Sequence, residues 1–123
     1  MWCCLTMMML RTDNGLWRAA FGVLALVTLW LSLMPVERLP VAFHFWDKAQ
    51  HALGFSALAY FGLTGYAQQA RRVVLGLVVF GIAIEVMQHL SGWRYGDWLD
   101  WVADCIGVLI GYAAWRAVNL LRH

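Results

Sequence analysis

The sequence predicts an all-α integral membrane protein, a bundle of four transmembrane helices. Of its 123 residues, 63% are hydrophobic and only 13% are charged, against about 45–50% and about 25% in ordinary soluble domains. Small domains bury the smallest share of their surface, so a chain of this length cannot hide its apolar residues internally and must expose them to lipid. This excludes a soluble enzyme. The net charge of +2 gives no indication of a nucleic-acid partner.

Four apolar segments are long enough to cross a bilayer, whose core of about 30 Å requires about 20 mostly apolar residues per helix. They form one predicted membrane domain over 1–123, in which an N-terminal tail precedes the spans. We place the tail at 1–15 and the spans at 17–36, 48–69, 73–92 and 98–116. The sequence leaves the natural start open among Met1, Met7, Met8 and Met9.

Each span carries its own sequence signals. Pro35 and Pro40 bracket the loop that follows the first, where they break no helix. The second contains no charged residue after Lys48. The third contains one charged residue, Glu85, and is followed by Gly92 in a Ser-Gly turn signal. The fourth carries Asp104 well inside an apolar stretch. Acids within two spans are the first indication of a polar site.

Basic residues predict the orientation of the bundle, because Lys and Arg accumulate on the cytoplasmic side. One side of the predicted bundle carries six arginines, and the other carries three basic residues. The two sets are Arg11, Arg18, Arg71, Arg72, Arg116 and Arg122 against Arg38, Lys48 and Arg94. The bias predicts that both termini are cytoplasmic and that the loops before the second and fourth spans face outward.

The unusual polar residues all fall near the outer ends of spans two, three and four. They are Asp47, Lys48, His51, Glu85, Gln88, Arg94, Asp97, Asp100 and Asp104. At a rise of about 1.5 Å per residue, Glu85 lies about 20 Å above the inner arginine of its span, and Asp104 lies about 18 Å above its own. Counted in the same way from Arg71, His51 lies about 30 Å up, at the outer rim.

Glycines continue the polar faces of these helices deeper into the bundle. The predicted helix-packing residues are Gly54, Gly81, Gly107 and Gly111, which share faces with the polar residues at about 100° per residue. Glycine lets helix backbones approach closely, so the polar groups are predicted to point into the bundle and line one outward-opening binding pocket. The competing interpretation is that the acids only join helices by hydrogen bonds.

The residues leave open whether this pocket is catalytic. Glu85, His51 and Asp104 are the candidates for a general acid or base. Acids holding a divalent metal are the other catalytic alternative, although the spacing matches no recognised metal motif and we assign no metal or cofactor. A pocket that only binds a headgroup, or a protein that only assembles with others, fits the same residues.

Three ordered motifs resemble those of the VanZ-like family of bacterial four-helix membrane proteins. Residues 47–51 resemble the family's D-K-x-x-H at the head of the second helix, and 85–88 resemble its E-x-x-Q in the third. Arg94, Asp100, Gly107 and Gly111 resemble its R-x5-D-x6-G-x3-G pattern. The resemblance covers roughly residues 44–111.

Two departures from the family pattern add acid to the pocket. The family often has Asn at the position of Asp104 and a small hydroxyl residue at the position of Asp97. The resemblance implies a multi-pass protein of the bacterial cytoplasmic (inner) membrane that is associated with resistance to the glycopeptide teicoplanin. The partners it implies are membrane lipids and a cell-wall-precursor lipid, and a homo-oligomer stays open.

Overall fold

Four α-helices account for most of the described chain. The computed structural model describes the backbone of residues 2–34, 43–93 and 97–122, and the side chains within 14–34, 48–93 and 97–122. The helices are α1 (Trp2–Leu33), α2 (Phe43–Gly65), α3 (Ala70–Ser91) and α4 (Trp98–Arg122), and a 3₁₀ turn at Ala67–Gln69 joins α2 to α3. The predicted all-α class is confirmed.

Three stretches of helix are long and apolar enough to cross a membrane. They are Asn14–Leu33 within α1, Ala67–Ser91, which contains α3, and Trp98–Arg122, which is α4. Their apolar side chains are largely outward-facing, as expected for a bundle surrounded by hydrocarbon instead of water. These helices indicate a membrane-embedded protein, in agreement with the composition.

The helices extend beyond the predicted spans at four of their eight ends. α1 begins at Trp2 and so includes most of the segment predicted as a tail, and α4 continues to Arg122. The C-terminal end of α2 differs in the opposite sense, because the helix stops at Gly65 and Tyr66 leaves helical geometry with φ −127°. α3 ends before Gly92, whose φ of +79° is the left-handed conformation that glycine commonly supplies after a helix.

α2 occupies the centre of the bundle. It contacts each of the other three helices, and its residues Phe55, Leu58, Ala59 and Leu63 are fully buried. α2 and α4 run parallel, since successive turns of one helix meet successive turns of the other in the same order. α1 and α3 pack against other faces of α2. A polar residue on the inward-facing side of α2, such as His51, is therefore enclosed in protein.

The α2–α4 contact depends on two glycines of α4. A Cβ atom built on Gly107 would overlap the carbonyl oxygen of Ala52, and one on Gly111 would overlap the carbonyl oxygen of Ser56. A Gly-x3-Gly pair facing a small-x3-small pair is the packing mode that lets membrane helices approach to backbone contact. This approach brings Asp104, one turn before Gly107, against the N-terminal half of α2.

Arg18 of α1 secures the opposite end of α2. Its Nε–H donates to the carbonyl oxygen of Gly65 over 2.8 Å, and its guanidinium lies 4.5 Å from the centre of the Tyr66 ring. The last carbonyl groups of a helix have no partner within the helix, so Arg18 satisfies one of them.

Replacing Arg18 with Met is expected to lower the free energy of unfolding by about 1–2 kcal/mol, because one charge-assisted hydrogen bond and one cation–π contact are lost. Unfolding titrations in mixed micelles measure the change. Arg71→Met is the matched control, since Arg71 is exposed, and an equal loss in both variants contradicts the role assigned to Arg18.

Candidate functional site

A buried hydrogen bond between His51 and Asp104 lies at the centre of the polar cluster. The Nδ1–H of His51 donates to Oδ1 of Asp104 over 2.9 Å, and the two side chains are only 5% and 2% exposed. α2 supplies the histidine and α4 the carboxylate, and the glycine contact one turn deeper sets the separation of the two helices. A histidine held at Nδ1 by a carboxylate has a defined orientation and tautomer, as in many binding and catalytic sites.

The depth of His51 is where the sequence prediction is wrong. Counting from Arg71 placed His51 at the outer rim, far above Asp104, whereas the two side chains are hydrogen-bonded. α2 ends at Gly65, so the helix between Gly65 and His51 rises about 21 Å, close to the value of about 18 Å for Asp104. The intervening Tyr66 turn and 3₁₀ segment add residues to the chain without adding height.

Lys48 joins the start of α2 to the start of α4. Its Nζ–H groups donate to Oδ2 of Asp97 over 3.2 Å and to Oδ1 of Asp100 over 3.3 Å. Asp97 also caps α4 by accepting a hydrogen bond from the backbone N–H of Leu99 at 3.0 Å. This amide, with help from Lys48, holds the pKa of Asp97 below its usual range. The charge of Lys48 is thus already shared between two carboxylates.

Replacing Lys48 with Met is expected to lower the free energy of unfolding by about 1–3 kcal/mol, because the Asp100 carboxylate is buried and loses its cation. Lys48→Arg retains the charge and is expected to lose less.

The contribution of Lys48 is also expected to depend on pH. Since the pKa of Asp97 is lowered in the folded protein, its pairing stabilises the folded state above the unfolded pKa of about 3.9, and this stabilisation is lost as the pH falls through the folded pKa. Unfolding titrations of the wild type and both variants over a range of pH measure this loss. A difference in unfolding free energy between the wild type and Lys48→Met that grows on acidification contradicts the pairing.

Glu85 brings a further carboxylate to the cluster from α3. Both of its carboxyl oxygens are shielded from solvent, and they lie within Coulombic range of Asp100, Asp104 and His51. No described donor meets this carboxyl group with hydrogen-bond geometry. Glu85 therefore offers buried acceptor oxygens at the inner wall of the cluster.

Small residues at the α3–α4 contact bring these acids together. A Cβ atom on Gly81 would lie 3.1 Å from Oδ2 of Asp104 and from Cδ1 of Trp101. The indole N–H of Trp101 donates to the carbonyl oxygen of Val78 over 3.3 Å. Glycine at 81 therefore leaves room for Asp104 beside α3. This agrees with the prediction that the glycine-bearing faces of the helices point into the bundle.

Gln88 is buried at the α1–α3 contact. Its Nε2–H donates to the carbonyl oxygen of Ser32 over 2.8 Å, and only 1% of the residue is exposed. The sequence predicts Gln88 as a pocket residue, and the structure shows it binding the end of α1. The sequence of α1 indicates only its hydropathy, so it predicts no role for Ser32 or Thr28.

A mainly apolar groove of about 390 Å³ lies between α1 and α2 and reaches His51. Its polar lining comes from Thr28, Ser32, Gln50 and His51, and its apolar wall includes the exposed Leu31 and Leu53. Gly54 lines the same groove, where a Cβ atom would stand 3.8 Å from Oγ1 of Thr28, an ordinary contact distance. The groove opens sideways, toward the lipid-facing surface of the bundle.

The structure brings six of the nine predicted pocket residues into one cluster at one end of the bundle. They are Lys48, His51, Glu85, Asp97, Asp100 and Asp104. Gln88 lies beside the cluster at α1, whereas the side chain of Asp47 and all of Arg94 lie outside the described residues. The described side chains contain no group of three or more His, Cys, Asp or Glu residues arranged to hold a metal ion.

Fold and site together define a membrane-embedded helical bundle with an acidic polar cluster at one end. The chain matches no protein-family model, no curated protein and no solved structure. Its function therefore has to be argued from the cluster itself.

Proposed function

We propose that this protein is a VanZ-like protein of the bacterial cytoplasmic membrane that binds the headgroup of an outer-leaflet lipid or cell-wall-precursor lipid. In this proposal α2 also crosses the membrane, which gives four spans in all, and both termini are cytoplasmic. Support for α2 as a membrane span comes from its contacts with all three other helices and from its fully buried residues. The excess of arginine at the opposite end supports the orientation.

The observation that carries the proposal is an excess of carboxylate in one enclosed cluster. Four described carboxyl groups, those of Glu85, Asp97, Asp100 and Asp104, face one lysine and one histidine. Acids embedded in a membrane are costly, and the ones that occur usually mark a functional site. Because Lys48 is already paired, the acceptor oxygens suit an amine or hydroxyl group of a headgroup better than a phosphate alone.

The lateral groove supports a lipid as the source of that headgroup. It joins the hydrocarbon-facing surface to His51 and is lined mainly by apolar side chains. A lipid could place an acyl or isoprenoid chain in the groove while its headgroup contacts the acids. The VanZ resemblance adds an expected effect on teicoplanin susceptibility, since that antibiotic acts on cell-wall precursors.

Thermal stabilisation by added lipid tests this proposal, because a ligand that binds only the folded state raises the unfolding temperature. Phosphatidylethanolamine or a cell-wall-precursor lipid is expected to stabilise the wild type and to leave Asp104→Asn and Glu85→Gln unchanged. His89→Gln is the control, since His89 is exposed at the same end of α3. Equal stabilisation of all four proteins, with unchanged teicoplanin susceptibility in cells, contradicts the proposal.

A membrane hydrolase or transferase is the second candidate, and the His51–Asp104 pair favours it. A carboxylate that orients an imidazole through Nδ1 is the arrangement that prepares a histidine to act as a general base. Glu85, or a divalent metal held by the acids, offers alternative acid–base chemistry. Incubation with the stabilising lipid followed by mass spectrometry of the lipid distinguishes the two candidates. A product that depends on His51 favours catalysis, and an unchanged lipid favours binding.

A further inference from the structure

A second groove lies at the opposite end of the bundle, between α1 and α3. Its volume is about 410 Å³. α1 contributes Phe21 and Ala25, and the turn and first half of α3 contribute Tyr66, Gln69, Arg72, Val73, Gly76, Leu77 and Phe80. Within α3 these positions recur every three or four residues, so they form one continuous face of the helix.

The groove is apolar along its length and basic at the end near the 3₁₀ turn. Gly76 leaves open space within it, since a Cβ atom built on Gly76 would meet nothing within 4 Å. Arg72 and Gln69 lie at the start of the groove and are exposed. Neighbouring Arg18 is engaged by Gly65 and Tyr66, which leaves Arg72 as the cation directed at the groove.

Charge complementarity identifies the occupant. All described acidic side chains lie at the far end of the bundle with His51, whereas the described side chains at this end include Arg18, Arg71, Arg72, Arg116 and Arg122. An apolar slot beside an arginine at a membrane surface fits a chain with an anionic headgroup, and basic pockets between transmembrane helices bind such lipids. Arginine also grips phosphate oxygens with two parallel hydrogen bonds.

We propose that this groove is a binding site for one anionic phospholipid of the leaflet on the arginine-rich side. One acyl chain lies over Gly76 between Phe21 and Phe80, and the phosphate contacts Arg72 and Gln69. The site shares no described residue with the acidic cluster, so the two proposals can be tested independently of each other. If the site is occupied, a bound lipid fills the space between α1 and α3.

Native mass spectrometry of the purified full chain, titrated with phosphatidylglycerol or phosphatidylcholine, tests the site. Arg72→Gln is expected to lower phosphatidylglycerol affinity about fivefold and to leave phosphatidylcholine affinity unchanged. Gly76→Leu fills the groove and is expected to lower the affinity for both lipids. Arg71→Gln and Gly22→Leu are the matched controls, because both residues are exposed, neither lines the groove, and Gly22 has open space around it.

The controls separate a built site from general attraction to a basic surface. Equal losses in Arg72→Gln and Arg71→Gln overturn the proposal, because any arginine at this surface then serves. Equal affinities in Gly76→Leu and Gly22→Leu also overturn it, because the groove is then not the place where the chain binds. Circular dichroism confirms that each variant is folded before titration, and a groove variant that unfolds is replaced by Gly76→Val.

Discussion

Adding one methyl group at Gly107 is expected to destabilise the protein by about 2–3 kcal/mol and to disrupt the acidic cluster. Alanine is the better helix former by about 1 kcal/mol, so propensity alone predicts the opposite sign. The new Cβ atom overlaps the carbonyl oxygen of Ala52, and backbone cannot move aside as a flexible side chain can. α2 and α4 must therefore separate, which lengthens the His51–Asp104 contact one turn above.

Unfolding in mixed micelles measures the effect of Gly107→Ala, and Gly22→Ala is its control. Gly22 lies in α1 with nothing within 4 Å of a built Cβ atom, so alanine there is expected to be neutral or stabilising by up to about 1 kcal/mol. Comparing Gly107→Ala with Gly22→Ala separates the effect of helix packing from the effect of helix propensity. If both variants have the same free energy of unfolding, the close α2–α4 contact is not what stabilises the bundle.

Replacing Asp104 with Leu is expected to lower the free energy of unfolding by about 1–3 kcal/mol, because it removes the hydrogen-bond partner of the buried Nδ1–H of His51. The double variant His51→Leu with Asp104→Leu is expected to recover most of that loss, since replacing both partners of a buried hydrogen bond with apolar groups costs little. Recovery of folding without recovery of lipid stabilisation is the result expected of a pair retained for function.

Four proteins complete this comparison: the wild type, His51→Leu, Asp104→Leu and the double variant. A coupling energy near zero in the double-mutant cycle contradicts a direct interaction between the two side chains. Full recovery of both stability and lipid response in the double variant contradicts a binding role and favours the interpretation that the pair only joins α2 to α4. His89→Leu, which alters an exposed histidine of α3, controls for the loss of any imidazole.

Composition and periodicity were enough to predict the helical membrane class and the faces that carry the acids. The Asp104 stripe and its glycines have the helical spacing that the structure shows at the α2–α4 and α3–α4 contacts. These features are local properties of one helix at a time. They follow from the number of residues per turn and from the small size of glycine.

The pairing of His51 with Asp104 could not be predicted because it depends on where α2 ends. A single glycine is the only sequence signal at the Gly65-Tyr66 break, and the uncharged residues that follow to Ala70 let the predicted span continue past it. A few residues of turn shift the level of every side chain on α2 relative to its neighbours. The Gln88–Ser32 contact is similarly a property of two helices, and the hydropathy of α1 carries no information about which of its carbonyl groups is reachable.

The proposed function requires that a lipid headgroup contacts the acidic cluster around His51 and Asp104. Photocrosslinking with a phospholipid that carries a diazirine in its headgroup tests this contact, with the labelled peptides located by mass spectrometry. Label concentrated at the starts of α2 and α4, and lost in Asp104→Asn but not in His89→Gln, is the expected result. Label spread over the lipid-facing surface of all the helices, and unchanged in Asp104→Asn, contradicts the claim.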